Sequence, residues 1–189
     1  MRNLLIFLLF SLSFLSNCFA EQLEVFLTAS DNATALYNGY FNAQTFNLSA
    51  AATVTSIKLE FGANTGSPTG DCEFRIENIT SGKPNGTLAH ANLTKSQAIT
   101  PSDWNTVTFD SSAVLAAGNY AIVPKVTGGD GSNIWRLRRV LAGGYSEGDG
   151  CDSPDASTWT IQTWDYVFEV LGTFSPPAAA PVNQVIFVE

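Results

Sequence analysis

From residue 21 onward, no window of about 11 residues carries the three-and-four apolar spacing of an amphipathic helix. Short runs of period two recur instead, separated by turn residues. Ser56-Ile57-Lys58-Leu59-Glu60-Phe61 alternates cleanly, which sets Ile57, Leu59 and Phe61 on one face. Asp71 to Ile79 does the same, with Cys72, Phe74 and Ile76 inward and Glu73, Arg75 and Glu77 outward. Trp104 to Asp110 alternates through Val107 and Phe109. Further strand signals lie at Gln22 to Thr28, Phe41 to Leu48, Tyr120 to Thr127, Asn133 to Leu141 and Trp164 to Leu171. Gly62 to Gly70, Ser81 to Gly86 and Gly128 to Gly131 supply turn chemistry between them. Eight or so short strands at such intervals predict an all-β, antiparallel two-sheet sandwich.

Composition narrows the function classes. Only 14% of residues are charged, and the formal net charge is −8, which argues against nucleic acid or an anionic membrane as partner. A single histidine, His90, excludes multi-histidine metal sites and most histidine-based catalysis.

The N-terminus has the features of an export signal over residues 1–20. Arg2 gives a positive start, Leu4 to Leu15 is apolar apart from serines, and Cys18 and Ala20 are small residues at the positions a signal peptidase reads. The apolar run is shorter than the roughly 20 residues of a spanning helix, so no transmembrane segment is expected after its removal. Two alternatives are an N-terminal anchor and lipid attachment at Cys18, where Asn17 departs from the usual lipobox. Cleavage at Ala20 leaves 169 residues, enough for one domain at 21–172, in a secreted or surface location. Cys72 and Cys151 then form an even pair, which in an oxidising compartment reads as a disulfide; two separate buried thiols are the alternative. Five N-x-S/T sequons begin at Asn32, Asn47, Asn78, Asn85 and Asn92. Thr173 to Pro181 reads as a stiff Pro/Ala spacer, and Val182 to Glu189 as a terminal strand that pairs with its own sheet or adds to a neighbour's edge.

The blocks Ala43-Gln44-Thr45-Phe46, Val54-Thr55-Ser56-Ile57-Lys58-Leu59, Gly66-Ser67-Pro68-Thr69-Gly70 and Ser81-Gly82-Lys83-Pro84-Asn85-Gly86-Thr87-Leu88 occur in order. Leu115-Ala116-Ala117-Gly118-Asn119-Tyr120, Gly128-Gly129-Asp130, Ser157-Thr158-Trp159-Thr160 and Phe168-Glu169-Val170 follow. Together, over residues 43–172, they resemble the choice-of-anchor type of jelly-roll domain found in secreted and surface proteins. The resemblance implies a jelly-roll-like sandwich that often stands beside sugar-active or adhesive modules. It implies no shared catalytic residues.

Several constellations of residues bear on chemistry. Gly144-Tyr145-Ser146-Glu147-Gly148 matches a nucleophile elbow in letters, but no helix pattern and no histidine follow it. A glycosidase needs two carboxylates about 5–5.5 Å or 6.5–9.5 Å apart, and nothing singles out such a pair among the 17 acidic residues. Glu147, Asp149, Asp152 and Asp155 crowd a Gly/Ser-rich stretch, which suits either a solvated loop or a structural Ca²⁺ site. Trp135, Tyr145 and Trp159 are candidate ring platforms for sugar, with Trp164 assigned to the core. Arg136 and Arg138 share the face opposite Trp135 and Leu137, where they could bond ligand hydroxyls or pair with Asp130 or Asp165. The expectation is therefore a non-catalytic extracellular recognition or adhesion module, with carbohydrate as the leading ligand class. A structural subunit that uses its terminal strand comes second, and a glycan hydrolase third.

Overall fold

The structure, a computed structural model, describes residues 21–175. The expected export signal, the lipid-site alternative at Cys18 and the terminal strand at 182–189 lie outside the described residues. Every element between is a strand. In chain order they are β1 (Glu21–Phe26), β2 (Asn32–Leu36), β3 (Phe41–Leu48), β4 (Ala52–Glu60), β5 (Cys72–Thr80), β6 (Lys83–Leu88) and β7 (Thr94–Gln97). They continue with β8 (Trp104–Leu115), β9 (Gly118–Val126), β10 (Trp135–Val140), β11 (Gly150–Ser153), β12 (Thr160–Ile161), β13 (Asp165–Tyr166) and β14 (Phe168–Phe174). The fold is all-β, and every pairing between these strands is antiparallel.

Two main sheets face each other. One has the order β1-β14-β4-β8; the other runs β12-β11-β3-β9-β5-β6, with β7 also paired to β5. Between them lie the apolar positions that alternation predicted: Ile57, Leu59, Phe61, Cys72, Phe74, Ile76, Val107 and Phe109 are all buried. Each such large side chain removed from water contributes roughly 1.5–3 kcal/mol, which is why the period-two pattern fixes which face turns inward. One break in the pattern is informative. Val54 and Ile57 are three residues apart, so both can face the core only if the strand slips. β4 bulges there against β8, and β14 bulges between Leu171 and Gly172.

A third, small sheet, β13-β10-β2, lies beside these two and contributes Leu36, Trp135, Leu137 and Tyr166 to the same core. It is tied to β3 by side chains. Gln44 Nε2 donates to Asp165 Oδ1 (3.2 Å), while Tyr166 N–H donates to Gln44 Oε1 (2.7 Å). Tyr166 O–H donates to Asn42 Oδ1.

Four sequence expectations change. The proposed Cys72–Cys151 disulfide is absent, and both cysteines are free and buried. They sit on β5 and β11, separated by β3 and β9, so three inter-strand spacings alone put them at least about 14 Å apart, twice the roughly 7 Å limit for a bridge. They also face opposite sides of the sheet: Cys72 joins the main core, and Cys151 a smaller cluster with Ala43, Ala121, Val123 and Trp159. Titration of denatured, unreduced protein with a thiol reagent is expected to count two groups in residues 21–175, and native protein none; a count of zero after denaturation would contradict this geometry.

Glu77, expected to face solvent, does point away from the main core but is fully buried. Arg75 Nε lies 3.1 Å from its Oε1, and the Gly86 N–H donates to its Oε2 (2.9 Å). The turn expected at Ser81 to Gly86 is confined to Ser81 and Gly82, both with positive φ, after which β6 folds back beside β5. At the C-terminal side, β14 runs through Phe174 and Ser175 N–H donates to Ala51 O (2.8 Å), so the sheet takes in residues that composition assigned to the spacer.

Candidate functional site: an arginine groove beside a half-exposed tryptophan

β10 alternates as its sequence requires. Trp135 and Leu137 enter the core, and Arg136 and Arg138 face out. Small neighbours leave room around the two arginines. Ala35 lies opposite Arg136 and Ala33 opposite Arg138 on β2. On the other flank, the Phe61 to Thr65 segment bridges to β10 through Phe61–Leu137 and Thr65–Ile134. The Gly62 N–H there donates to Arg136 O at 2.7 Å. A Cβ on Gly62 would stand 3.2 Å from Arg138 Nε, so a side chain there would press the Arg138 guanidinium outward by a few tenths of an ångström, while its 3.5 Å approach to Arg136 Cβ is ordinary contact. The outcome is a groove of ≈ 360 Å³ lined by Asn32, Ala33, Gly62, Ala63, Arg136 and Arg138.

The charge in this groove is not neutralised. Among the described residues, no carboxylate lies within 4.0 Å of Arg136 or Arg138. The two acidic partners expected from sequence are occupied elsewhere. Asp130 accepts from the N–H groups of Ser132 and Asn133 in its own turn, and these hold its carboxyl below the usual range. Asp165 accepts from the N–H groups of Gly144 and Tyr145. Arg136 donates from Nε and Nη2 to Thr65 Oγ1, a neutral acceptor. Arg138 Nε is buried without a hydrogen-bond partner. Arg139 faces the other way, its guanidinium 4.8 Å from the centre of the Trp164 ring.

A second groove, ≈ 550 Å³, adjoins the first. It is lined by Leu27, Thr28, Ala29, Ser30, Glu60, Trp104 and Val167. No residue lines both, but Ser30 and Glu60 on this side are each two residues from Asn32 and Gly62 on the other, and the Val167 N–H donates to Arg138 O (3.4 Å), so the two basins are neighbours. Trp104 stands directly across from Glu60 in the β4–β8 pairing and is half-buried. Leu27 beside it is 51% exposed.

The aromatic platform expected from sequence is not at the surface. Trp135 is 6% exposed and belongs to the main core. Tyr145 packs edge-on against Phe168, centroids 5.2 Å apart, and against Phe26; burial pushes its phenol well above the ordinary tyrosine range. Trp159 is 5% exposed and lies on the outer side of the larger sheet, closing the cluster around Cys151. Trp164 is in the core, as expected. Trp104 was missed, although the alternation that sent Val107 and Phe109 inward already turned the even-numbered Trp104 outward.

The acidic stretch is partly strand rather than loop, because β11 pairs with β3 there. Its four acidic residues have separate environments. Asp155 accepts from the N–H groups of Thr158 and Ser157, which hold its carboxyl well below the usual range. Asp152 accepts from Tyr40 O–H (2.9 Å) and Gln162 Nε2 (2.8 Å). The backbone N–H of Asp149 donates to Thr45 Oγ1, and Glu147 is exposed. Among the described residues, no three His, Cys, Asp or Glu side chains converge in a way that could hold a metal ion. His90 is exposed in a turn, where its Nδ1 accepts from Asn92 N–H (3.1 Å). No helix among the described residues is long and apolar enough to cross a membrane. No protein family matches the chain, and no curated protein does either.

Proposed function

We propose that the chain is a non-catalytic extracellular recognition module that binds carbohydrate at the β2–β10 rim. The observation that carries this is the groove holding Arg136 and Arg138 with no carboxylate against either. Two guanidinium groups in a chain of net charge −8, on a rigid strand pair and bordered by alanine and glycine, are a poor way to stabilise a fold. They are a good way to present fixed donors to an oxygen-rich ligand. The resemblance to domains that accompany adhesive and sugar-active modules points in the same direction, as does the export-type N-terminus.

The test is a glycan array probed with the chain and with Arg138→Ala. Replacing one charged donor is expected to lower retention about tenfold while leaving the melting temperature within a degree or two. Equal retention by the variant would remove the groove from the account. Release of reducing ends from any bound glycan would revive the hydrolase reading.

A further inference from the structure

We infer that the two adjoining basins form one site for an acidic saccharide, with a neutral ring against Trp104 and the neighbouring carboxylate or sulfate on Arg136 and Arg138. The inference rests on the recognition reading above and specifies its ligand. Each basin, ≈ 550 and ≈ 360 Å³, falls within the range of about 300–1,000 Å³ typical of small-ligand sites. Their chemistry differs end to end. The first offers a half-exposed indole and the exposed Leu27, apolar surfaces that suit the C–H face of a sugar ring, with Glu60 as its charged lining residue. That carboxylate disfavours an acid group there and can accept from ring hydroxyls. The second offers two guanidinium groups without a carboxylate partner, whose planar donors match the oxygens of a carboxylate or sulfate. A glycan that alternates a neutral and a charged ring satisfies both ends, whereas one charged on every ring meets Glu60.

Overall charge shapes the expected affinity. At net −8 the chain repels a polyanion at long range, so binding is expected to be short-range and modest in its salt dependence, with added salt screening repulsion as well as attraction.

The experiment measures binding of four probes to the chain by calorimetry. They are a hyaluronan tetrasaccharide, which carries carboxylates; a keratan sulfate tetrasaccharide, which carries sulfates; the carboxyl-reduced, neutral hyaluronan tetrasaccharide; and poly-glutamate. At least one charged saccharide is expected to bind ten times or more tighter than the neutral one, and the stronger of the two identifies the acid group. Arg136→Ala with Arg138→Ala is expected to weaken it by about a hundredfold, and Trp104→Ala by about tenfold. Trp104→Phe, which keeps a ring, serves if the alanine variant fails to fold, and is expected to retain most of the affinity. Neutral and charged saccharides binding alike would overturn the acidic ligand and leave the glycan reading standing, whereas an arginine double variant binding as the parent does would overturn the acidic ligand and the β2–β10 groove together. Poly-glutamate binding as tightly as the saccharides, with Trp104 variants unaffected, would overturn the saccharide. Binding to none of the saccharides would overturn both.

Discussion

Replacing Asp165 by alanine is expected to lower the unfolding free energy by about 4 kcal/mol, a large share of the roughly 5–15 kcal/mol available to a domain. Asp165 is 4% exposed, and its two oxygens serve three donors. Oδ2 accepts from the Gly144 N–H (3.1 Å) and the Tyr145 N–H (3.2 Å), and Oδ1 from Gln44 Nε2 (3.2 Å). Removing the carboxylate strands those donors away from water, which costs more than the bonds themselves contributed. Asp165→Asn is expected to cost about half as much, because one side of the new amide must face another donor. Urea unfolding midpoints decide the matter. A drop of less than 1 kcal/mol for the alanine variant would show that this seam does not hold β13 to β3.

The second large effect is loss of stability in base. Burial pushes the Cys151 thiol up to about 12 and raises that of Cys72 well above its ordinary value. Burial likewise raises the phenols of Tyr145 and Tyr166. In the unfolded chain the thiols ionise near ~8.5 and the phenols near ~10. A folded-state value above the unfolded one means that the native form holds the proton while the unfolded form releases it. The stabilising difference is complete below ~8.5 and disappears as pH rises towards the folded values. Between about pH 9 and 10 the thiols dominate, each removing up to about 1.4 kcal/mol per pH unit, and the phenols add a growing share as pH approaches ~10. Chemical unfolding at pH 8, 9 and 10 should show a steep decline that flattens when Cys72 and Cys151 are both changed to alanine. A flat profile in the parent protein would mean that water reaches the sulfur atoms. This decline requires the cysteines to be thiols, which links it to the thiol count.

The strand faces were legible in the order of residues alone. Period-two runs at Ser56 to Phe61, Asp71 to Ile79 and Trp104 to Asp110 admit one orientation, because the reverse would put Phe and Ile in water. The same rule placed Arg136 and Arg138 outside, and it would have placed Trp104 there too. It also conflicts with an exposed Trp135, since Trp135 shares the face of Leu137. Short elements such as β11, β12 and β13 were not legible. Gly150-Cys151-Asp152-Ser153 reads as a loop until β3 lies beside it to accept its hydrogen bonds.

Whatever depends on which strands become neighbours had to wait for the folded chain. Sheet order puts β3 and β9 between the two cysteines, so an even count in a chain with an export-type start gave the wrong pairing. It folds the segment at 153–158 over the outer face of the larger sheet and buries Trp159, a ring that composition would leave on the surface. It brings β2, the Phe61 to Thr65 segment and β10 together, so that alanines and a glycine from distant parts of the chain clear a groove around two arginines. Alternation is a local property and can be read one strand at a time. Adjacency depends on closing loops between strands far apart in the chain, and the spacing of residues along the chain does not encode that.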